Sequence, residues 1–131
     1  MQYELVYASR VVPGLDPRFV ADVVRRARVK NRRMGVTGLL VFDGDCFCQQ
    51  LEGGRLAVLE LAELIEKDPR HSHYRLLHEG ARAERRFGNW HMAYGLLPAD
   101  DLESLVDRHP GVQMADYLES LTAGLSDFSA G

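Results

Sequence analysis

The sequence predicts an α+β fold: a ferredoxin-like, five-stranded mixed sheet with two helices on one face and two short C-terminal helices on the other. Two observations predict it. Alternating or β-branched segments and amphipathic segments follow in the order strand, helix, strand, strand, helix, strand, with one further strand and two helices after them. Right-handed connections place the first two helices on one face, and the second strand, apolar at both parities, needs cover on both faces.

The composition is that of an ordinary globular protein and favours one domain. The chain has 131 residues, of which 46% are hydrophobic and 27% are charged, with a formal net charge of −3. That charge gives no reason to expect a nucleic-acid partner. No apolar run reaches the roughly 20 residues that cross a bilayer, and the N-terminus lacks the features of a signal peptide. We therefore expect a cytoplasmic protein without a membrane segment.

The first strand and the first helix each bring one polar side chain toward the same face. Residues 2–9 alternate, and Tyr7 lies near the end of that strand. Asp16 is expected to be the N-cap of the helix, with Pro17 at its first position. The apolar stripe of the helix, continued by one turn, reaches Asn31. Its side chain is thus expected to point inward, although an asparagine here also suits a helix C-cap.

A tight hairpin follows and contains the least expected side chain of the sequence. Residues 36–42 and 46–52 are predicted to be strands, joined by a turn at Asp43-Gly44. On the second of these strands, Gln49 shares a face with two large apolar residues. An unpartnered buried amide costs about 1–3 kcal/mol, so we expect a specific hydrogen-bond partner for this side chain.

The same strand carries both cysteines of the chain. Cys46 and Cys48 point the same way but lie too far apart for easy disulfide geometry, and we expect reduced thiols that fill space. A zinc site that recruits His71, His73 or His91 matches no known finger spacing. No metal is therefore expected.

After the hairpin, a second helix leads into a basic loop. This helix is expected to stop at Asp68, because a proline follows. Arg70, His71 and His73 are then expected in a loop ahead of a fourth strand at residues 74–79.

The last third of the chain is predicted to add one strand and two helices. Residues 80–89 are charged and are expected to be an exposed connection. Residues 90–94 are expected to be the fifth strand, with Trp90 and Met92 on one face. The two helices that cover the opposite face of the sheet and the loose polar tail are predicted at residues 98–107, 113–123 and 126–131.

Five motifs spaced along residues 3–95 carry a resemblance to a known family. They are LVYAS, which contains Tyr7, N-x5-TG from Asn31 to Gly38, F-x-Q-x-LEG from Phe47 to Gly53, D-x-RH from Asp68 to His71, and RRF-x2-WHM from Arg85 to Met92. In this order and spacing, the sequence resembles the BLUF family of blue-light sensors that use flavin. The resemblance implies the same ferredoxin-like fold, with the flavin held between the first two helices.

The resemblance also implies roles for single residues. Tyr7 and Gln49 would form a hydrogen-bonded pair beside the flavin ring, and Asn31 would hold the ring's polar edge. Arg70 and His71 would flank the ring. The implied flavin-binding residues are Tyr7, Asn31, Gln49, Arg70, His71 and Met92, and the implied photoactive residues are Tyr7, Gln49, Trp90 and Met92. The implied cofactor is FAD, with FMN or riboflavin as alternatives.

The implied mechanism is photochemical, and no bond to the flavin is made. Blue light excites the oxidised flavin, Tyr7 gives it an electron and a proton, and recombination leaves Gln49 in a changed hydrogen-bonding state. Residues 1–97 would be the sensor domain and residues 98–125 a helical extension of it. The signal would pass to a downstream effector protein of unknown identity, and a homo-oligomer is implied by the resemblance alone.

Two other functions fit the fold. One is a light-inert regulatory or assembly module. The other is a small acyl-phosphate hydrolase that uses Arg70 and Asn31, although no glycine-rich anion loop accompanies that arginine. We therefore expect a chain that is not an enzyme. The residues that are candidates to contact flavin phosphates are Arg25, Arg28, Lys30 and Arg32.

Overall fold

The strand that carries Gln49 lies at the centre of a five-stranded sheet. The computed structural model describes residues 2–14, 16, 18–88 and 90–122. The elements are β1 (Gln2–Val11), α1 (Phe19–Met34), β2 (Thr37–Phe42), β3 (Cys46–Gly53), α2 (Arg55–Glu66), β4 (His71–Arg82), β5 (Ala93–Leu96), α3 (Asp101–Arg108) and α4 (Val112–Thr122). The strand order is β4-β1-β3-β2-β5, and β5 pairs with β2 in parallel while the other pairs are antiparallel. The predicted mixed α+β sheet is confirmed.

The two faces of the sheet bury separate apolar clusters. The front face, which α1 and α2 cover, is defined by Tyr7, Leu40, Phe47, Leu51 and Met92. The back face, which α3 and α4 cover, is defined by Val6, Leu39, Cys48, Leu102 and Leu118. Every residue of β2 is buried, as the apolar residues at both parities predict. The alternation predicted for β1, β2 and β3 therefore agrees with the structure.

The predicted start of α1 is wrong by two residues. Arg18, not Asp16, is the N-cap residue, and α1 begins at Phe19. The Asp16 carboxylate accepts a hydrogen bond from the Arg18 backbone N–H (2.9 Å) and pairs with the Arg18 guanidinium (2.7 Å). This local turn uses the side chain that would otherwise cap the helix. Pro17 lies outside the described residues.

The fourth strand is twice as long as the alternation predicted. β4 covers His71–Arg82, so His71 and His73 lie in a strand rather than in a loop. Its partner β1 is ten residues long, and the two pair from Val11 opposite His71 to Gln2 opposite Arg82. Irregularities in the pairing opposite residues 72–75 disturb the period of two there, which explains why the sequence pattern began late.

The connection from β4 to β5 also departs from the prediction. Residues 80–82 belong to β4, and the Arg86 side chain is only 2% exposed, so this connection is not a fully exposed loop. β5 begins only at Ala93. Trp90 and Met92 therefore precede the strand, and they do not share a face: Met92 lies in the front cluster and Trp90 packs against the back cluster.

The two C-terminal helices pack on the back face, as predicted. α3 begins at Asp101 rather than at residue 98, and the Asp43 carboxylate accepts a hydrogen bond from the Leu102 N–H (3.0 Å) at its start. Ala123 and the tail predicted at residues 126–131 lie outside the described residues. No helix in the described ranges is long and apolar enough to cross a membrane.

Both cysteines lie on the back face as free thiols. Burial raises the pKa of Cys46 to about 11 and the pKa of Cys48 to about 12. Neutral, buried thiols behave as small apolar side chains. The predicted space-filling role agrees with this environment, and no cluster of metal-ligating side chains occurs among the described residues.

Candidate functional site

A cavity of about 230 Å³ opens between α1 and α2, above the front face of the sheet. Its apolar lining includes Phe19, Val23, Leu40, Phe47, Leu61 and Ile65. Its polar and sulfur-containing lining includes Tyr7, Asn31, Gln49, Arg70, His71 and Met92. An apolar slot with a few polar side chains is the usual form of a site for a small aromatic molecule. The predicted slot between the two helices is therefore present.

Gln49 has two hydrogen-bond partners inside this cavity. Tyr7 lies directly opposite Gln49 in the β1–β3 pairing, and its phenolic O–H donates to Gln49 Oε1. On its other side, Gln49 Nε2 donates to the Met92 thioether sulfur (3.5 Å). A thioether is a weak acceptor, so the amide N–H is held less firmly than the amide oxygen. The side chain is 5% exposed, which makes these contacts its main restraints.

The Tyr7 phenol is kept neutral by its surroundings. Burial raises the pKa of Tyr7 well above its usual value. The ring stacks on Tyr74 with a centroid separation of 4.9 Å and an interplanar angle of 20°. Tyr74 was not predicted as a site residue. It lies beside Tyr7 because β4 pairs with β1, and a single sequence does not reveal that pairing. The stack holds the Tyr7 ring in one orientation beside the cavity.

Asn31 is buried at the inner end of α1 and is not the helix C-cap. That position is taken by Gly35, whose φ of 68° is left-handed, a conformation that favours glycine. Asn31 is 1% exposed and its Nδ2 donates to the His91 carbonyl (2.6 Å). One turn earlier, Arg28 Nε donates to the Met92 carbonyl (2.9 Å). The last turns of α1 thus fix the backbone that places Met92 beside Gln49.

Two charged or polar side chains line the cavity near the start of β4. Arg70 pairs with Asp68, and this pairing holds the pKa of the Asp68 carboxyl below its usual value. His71 Nε2 contacts the Ile65 carbonyl, and its Nδ1 lies 2.8 Å from the Ser9 hydroxyl oxygen. A carbonyl only accepts, so Nε2 donates to Ile65, while Nδ1 and the Ser9 hydroxyl share a second hydrogen bond. The imidazole ring is therefore held in one orientation.

The basic residues of α1 divide between the cavity and other contacts. Of the four proposed from sequence, Lys30 lines the cavity, Arg25 pairs with Asp22, and Arg28 turns to Met92. Arg32, the fourth, is exposed and, in the part of the chain that the structure describes, is not part of the cavity lining. Arg26 also lines the cavity and was missed. It lies one turn before Lys30, and this spacing of four residues was the available signal. Trp90 is not part of the cavity lining among the described residues.

The cavity fits a flavin. A flavin ring is flat and apolar on both faces and carries donors and acceptors along one edge. The apolar lining matches the faces, and the buried amides of Asn31 and Gln49 can match that edge because an amide both donates and accepts. Arg70 is already paired with Asp68, which does not leave it arranged as the anion site of an acyl-phosphate hydrolase.

A ferredoxin-like sheet with this slot and a buried tyrosine–glutamine pair defines a domain that binds a flat aromatic cofactor beside two buried amides. The family model described as "BLUF: Sensors of blue-light using FAD" matches residues 2–93. The chain therefore belongs to the BLUF family, and flavin is its cofactor. The matched model describes blue-light sensors, which favours the sensor over the light-inert and hydrolase alternatives for this region.

Relatives and solved structures agree with this assignment. The photoactivated adenylate cyclase subunit beta of Euglena gracilis is 36% identical over 102 residues, which is 78% of this chain and 11% of that protein. The structure titled "BlsA photo-activated state" superposes with a TM-score of 0.81 at 25% identity, covering 95% of this chain and 97% of that one. The dark-state structure of BlrB, a BLUF protein, gives 0.75 at 29% identity, with the same coverage of 95% and 97%.

The cyclase relatives are much longer than this chain. The chain spans only 11% of the cyclase subunit it matches. The cyclase activity in that name belongs to that protein, whereas the matched part of this chain is the sensor. The comparisons therefore assign the family and the cofactor to this chain, and the cyclase activity only to the longer relative.

Proposed function

We propose that this chain senses blue light through the Tyr7–Gln49 pair beside bound flavin and signals to a separate effector protein in the cytoplasm. The observation that carries the proposal is the hydrogen bond from the Tyr7 phenol to the buried Gln49 amide in the wall of the cavity. Residues 1–97 would be the sensor, and residues 98–125 a helical extension of it. The packing of α3 and α4 on the back face supports this division.

Six residues would hold the flavin. Asn31 and Gln49 would contact the polar edge of the ring, Arg70 and His71 would flank it, and Tyr7 and Met92 would lie beside Gln49. All six line the cavity, which supports the assignment: Tyr7, Asn31, Gln49, Arg70, His71 and Met92. When bound, the oxidised flavin absorbs blue light and, once excited, accepts an electron and a proton.

Tyr7 is placed to supply the electron and the proton. Its neutral phenol retains the proton in the dark because burial disfavours the phenolate. In the structure the O–H bond points at Gln49 Oε1, and we assign this arrangement to the dark state. When Tyr7 gives up its electron and proton, Gln49 Oε1 loses its donor, and the amide is free to rotate. The return of the electron and proton restores Tyr7, whose oxygen then accepts from the rotated amide Nε2.

Met92 is the residue that responds to the rotation of the Gln49 amide. In the arrangement assigned to the dark state, its sulfur accepts the Gln49 N–H (3.5 Å). After rotation, the amide oxygen faces the sulfur, and a thioether has no hydrogen to donate. The contact therefore changes from attractive to unfavourable, and Met92 must shift. Trp90 packs against the back cluster, so in this chain we assign it to the output side of the movement rather than to the flavin contact.

An absorption spectrum of the purified protein tests the proposal. The protein, supplied with FAD, should be yellow, and its flavin bands should shift to longer wavelength under blue light and return in the dark. FMN and riboflavin, tested in the same way, show which flavins the cavity accepts. Flavin that binds without a reversible shift would contradict the proposed function.

We also expect self-association. The resemblance to short BLUF proteins implies a homo-oligomer. The mass of the flavin-bound protein in the dark and under blue light measures the number of copies. A monomer in both conditions would contradict this part of the proposal.

A further inference from the structure

Arg86 lies at the centre of a polar network on the back face. Its side chain is 2% exposed. The guanidinium donates to Glu4 of β1 through Nε (2.8 Å) and Nη2 (3.3 Å), and its Nη1 donates to both Asp116 (2.8 Å) and Glu119 (2.9 Å) of α4. A buried guanidinium that binds carboxylates from a strand and from a helix fixes the two elements relative to each other. Arg86 therefore attaches α4 to the sheet.

The connection that carries Arg86 contacts β3 on both faces of the sheet. On the back face, the Arg86 backbone N–H donates to Glu52 of β3 (2.7 Å). Further along the same connection, on the front face, Met92 accepts from Gln49 of β3 (3.5 Å). One stretch of chain thus joins the side chain that contacts Gln49 to the side chain that holds α4.

The carboxylates around Arg86 differ in how firmly they hold it. The Glu4 side chain is 5% exposed and also contacts Gln50 and His78, whereas Asp116 is 62% and Glu119 43% exposed. Solvated carboxylates lose little when an ion pair opens, because water replaces the partner. The contacts to α4 are therefore the ones that open first.

We propose that Arg86 is a positioning residue that couples Gln49 to α4, so that light loosens α4 from the sheet. This inference rests on the proposed function, because it begins with the rotation of the Gln49 amide. The shift of Met92 moves the connection to β4, and the Arg86 guanidinium then leaves Asp116 and Glu119 while it keeps Glu4. α4 is the two-state element, and its freed surface is what an effector detects.

Amide hydrogen exchange of α4 tests this coupling in the full chain with bound flavin. In the wild type, blue light should raise the exchange rates of residues Val112–Thr122 by about tenfold, together with the red shift of the flavin. In the Asp116→Asn, Glu119→Gln double variant, the exchange rates of α4 should no longer differ between dark and light. Its red shift should remain, which also shows that the variant is folded.

Glu103→Gln is the matched control. Glu103 of α3 is 62% exposed and pairs with Arg10 (2.7 Å), so this variant removes a comparable ion pair between a back-face helix and the sheet. It should keep the light-induced change in α4.

Two outcomes overturn the coupling alone: α4 exchange that is equal in dark and light despite a normal red shift, or a double variant that keeps the wild-type light effect. Wild-type protein that binds flavin but shows no red shift overturns the proposed function instead.

Discussion

Two adjacent glutamines of β3 have opposite environments. Gln49 faces the cavity and donates to a thioether at 3.5 Å, while Gln50 faces the back and donates to the charged Glu4 carboxylate at 3.0 Å. A charged acceptor holds an N–H roughly twice as strongly as a neutral one. Gln50 Nε2 is thus held by a charged acceptor, although Gln50 Oε1 is buried without a hydrogen-bond partner among the described residues, whereas Gln49 Nε2 meets a weak acceptor that it can exchange. A buried polar side chain can therefore act as a switch only where its hydrogen-bond partners are weak enough to be exchanged.

The comparison extends to the whole of each face. On the back, Glu52 accepts from Thr37 (2.9 Å) and from the backbone N–H groups of Arg86 (2.7 Å) and Phe87 (2.8 Å). On the front, the polar side chains surround a cavity. The back face holds the sheet and its helices in place, and the front face keeps a few polar groups available for a ligand.

The largest expected effect is that of Tyr7→Phe. The variant keeps the ring and its stacking on Tyr74 but removes the hydroxyl that donates to Gln49. It should bind flavin and show no red shift in blue light, measured by absorption spectroscopy. A normal red shift would remove Tyr7 from its role as the donor.

A pair of variants tests the two glutamines directly. Gln49→Leu should bind flavin and lose the red shift, because the exchangeable amide is gone. Gln50→Leu should keep the red shift, because Gln50 contacts Glu4 on the other face. Equal loss of the red shift in Gln49→Leu and Gln50→Leu would mean that the two faces do not differ in function. The same flavin spectra measure both.

Glu52→Gln tests the back face through stability. The substitution turns one acceptor into an NH₂ group that faces the Arg86 N–H, which leaves a buried donor without a partner. The free energy of unfolding should fall by about 1–3 kcal/mol in denaturant titrations, with the red shift of the folded protein preserved. Glu103→Gln, at an exposed ion pair, should lower it by less than about 1 kcal/mol. Similar losses in the two variants would contradict the assigned role of Glu52.

The front of the site was predictable from sequence because it depends on local periodicity. Alternation along β1 and β3 placed Tyr7 and Gln49 on one face, and the helical stripe of α1 placed Asn31 beside them. The back network was not predictable. Arg86 was read as exposed because it is charged, and its partners Glu4 and Asp116 lie 82 and 30 residues away in sequence. Only the folded chain brings such carboxylates together.

Trp90 illustrates the same limit. A strand from residue 90 would have placed Trp90 and Met92 on one face. The Trp90 carbonyl instead accepts from the Gly38 N–H (2.9 Å) before the regular pairing of β5 starts. Irregular backbone of this kind follows from tertiary hydrogen bonds, and no pattern of residue types encodes it.

Glu4 on the back face should contribute to the pH dependence of stability. Burial raises the pKa of Glu4, but hydrogen bonds from Arg86 and His78 outweigh it and hold the pKa below its usual value of 4.5. A lowered folded-state pKa means that this contribution is present above the unfolded pKa and is lost as the pH falls through the folded pKa. The free energy of unfolding should therefore fall as the pH is lowered through 4.5 and below, and fall less in Glu4→Gln. An equal fall in both proteins would exclude Glu4 as a source.

The smallest expected effect is at the mouth of the cavity. Lys30 lines the cavity and is exposed, so Lys30→Gln should weaken the binding of FMN by about 2- to 5-fold and leave riboflavin binding unchanged. Arg32→Gln, on the same helix, is the control and should change neither. Flavin fluorescence titrations of the apoprotein measure all of these affinities. Equal weakening of FMN and riboflavin would show that Lys30 does not contact a phosphate.

The central claim is that the Gln49 amide changes its hydrogen bonds while the rest of β3 stays in place. Nitrogen-15 NMR of the glutamine side chains, recorded on flavin-bound protein in the dark and under blue light, observes that amide directly. The account predicts that the Gln49 NH₂ resonances move in the light, return in the dark, and stay fixed in Tyr7→Phe. Gln49 resonances that are the same in dark and light, while the flavin bands shift red, would contradict it.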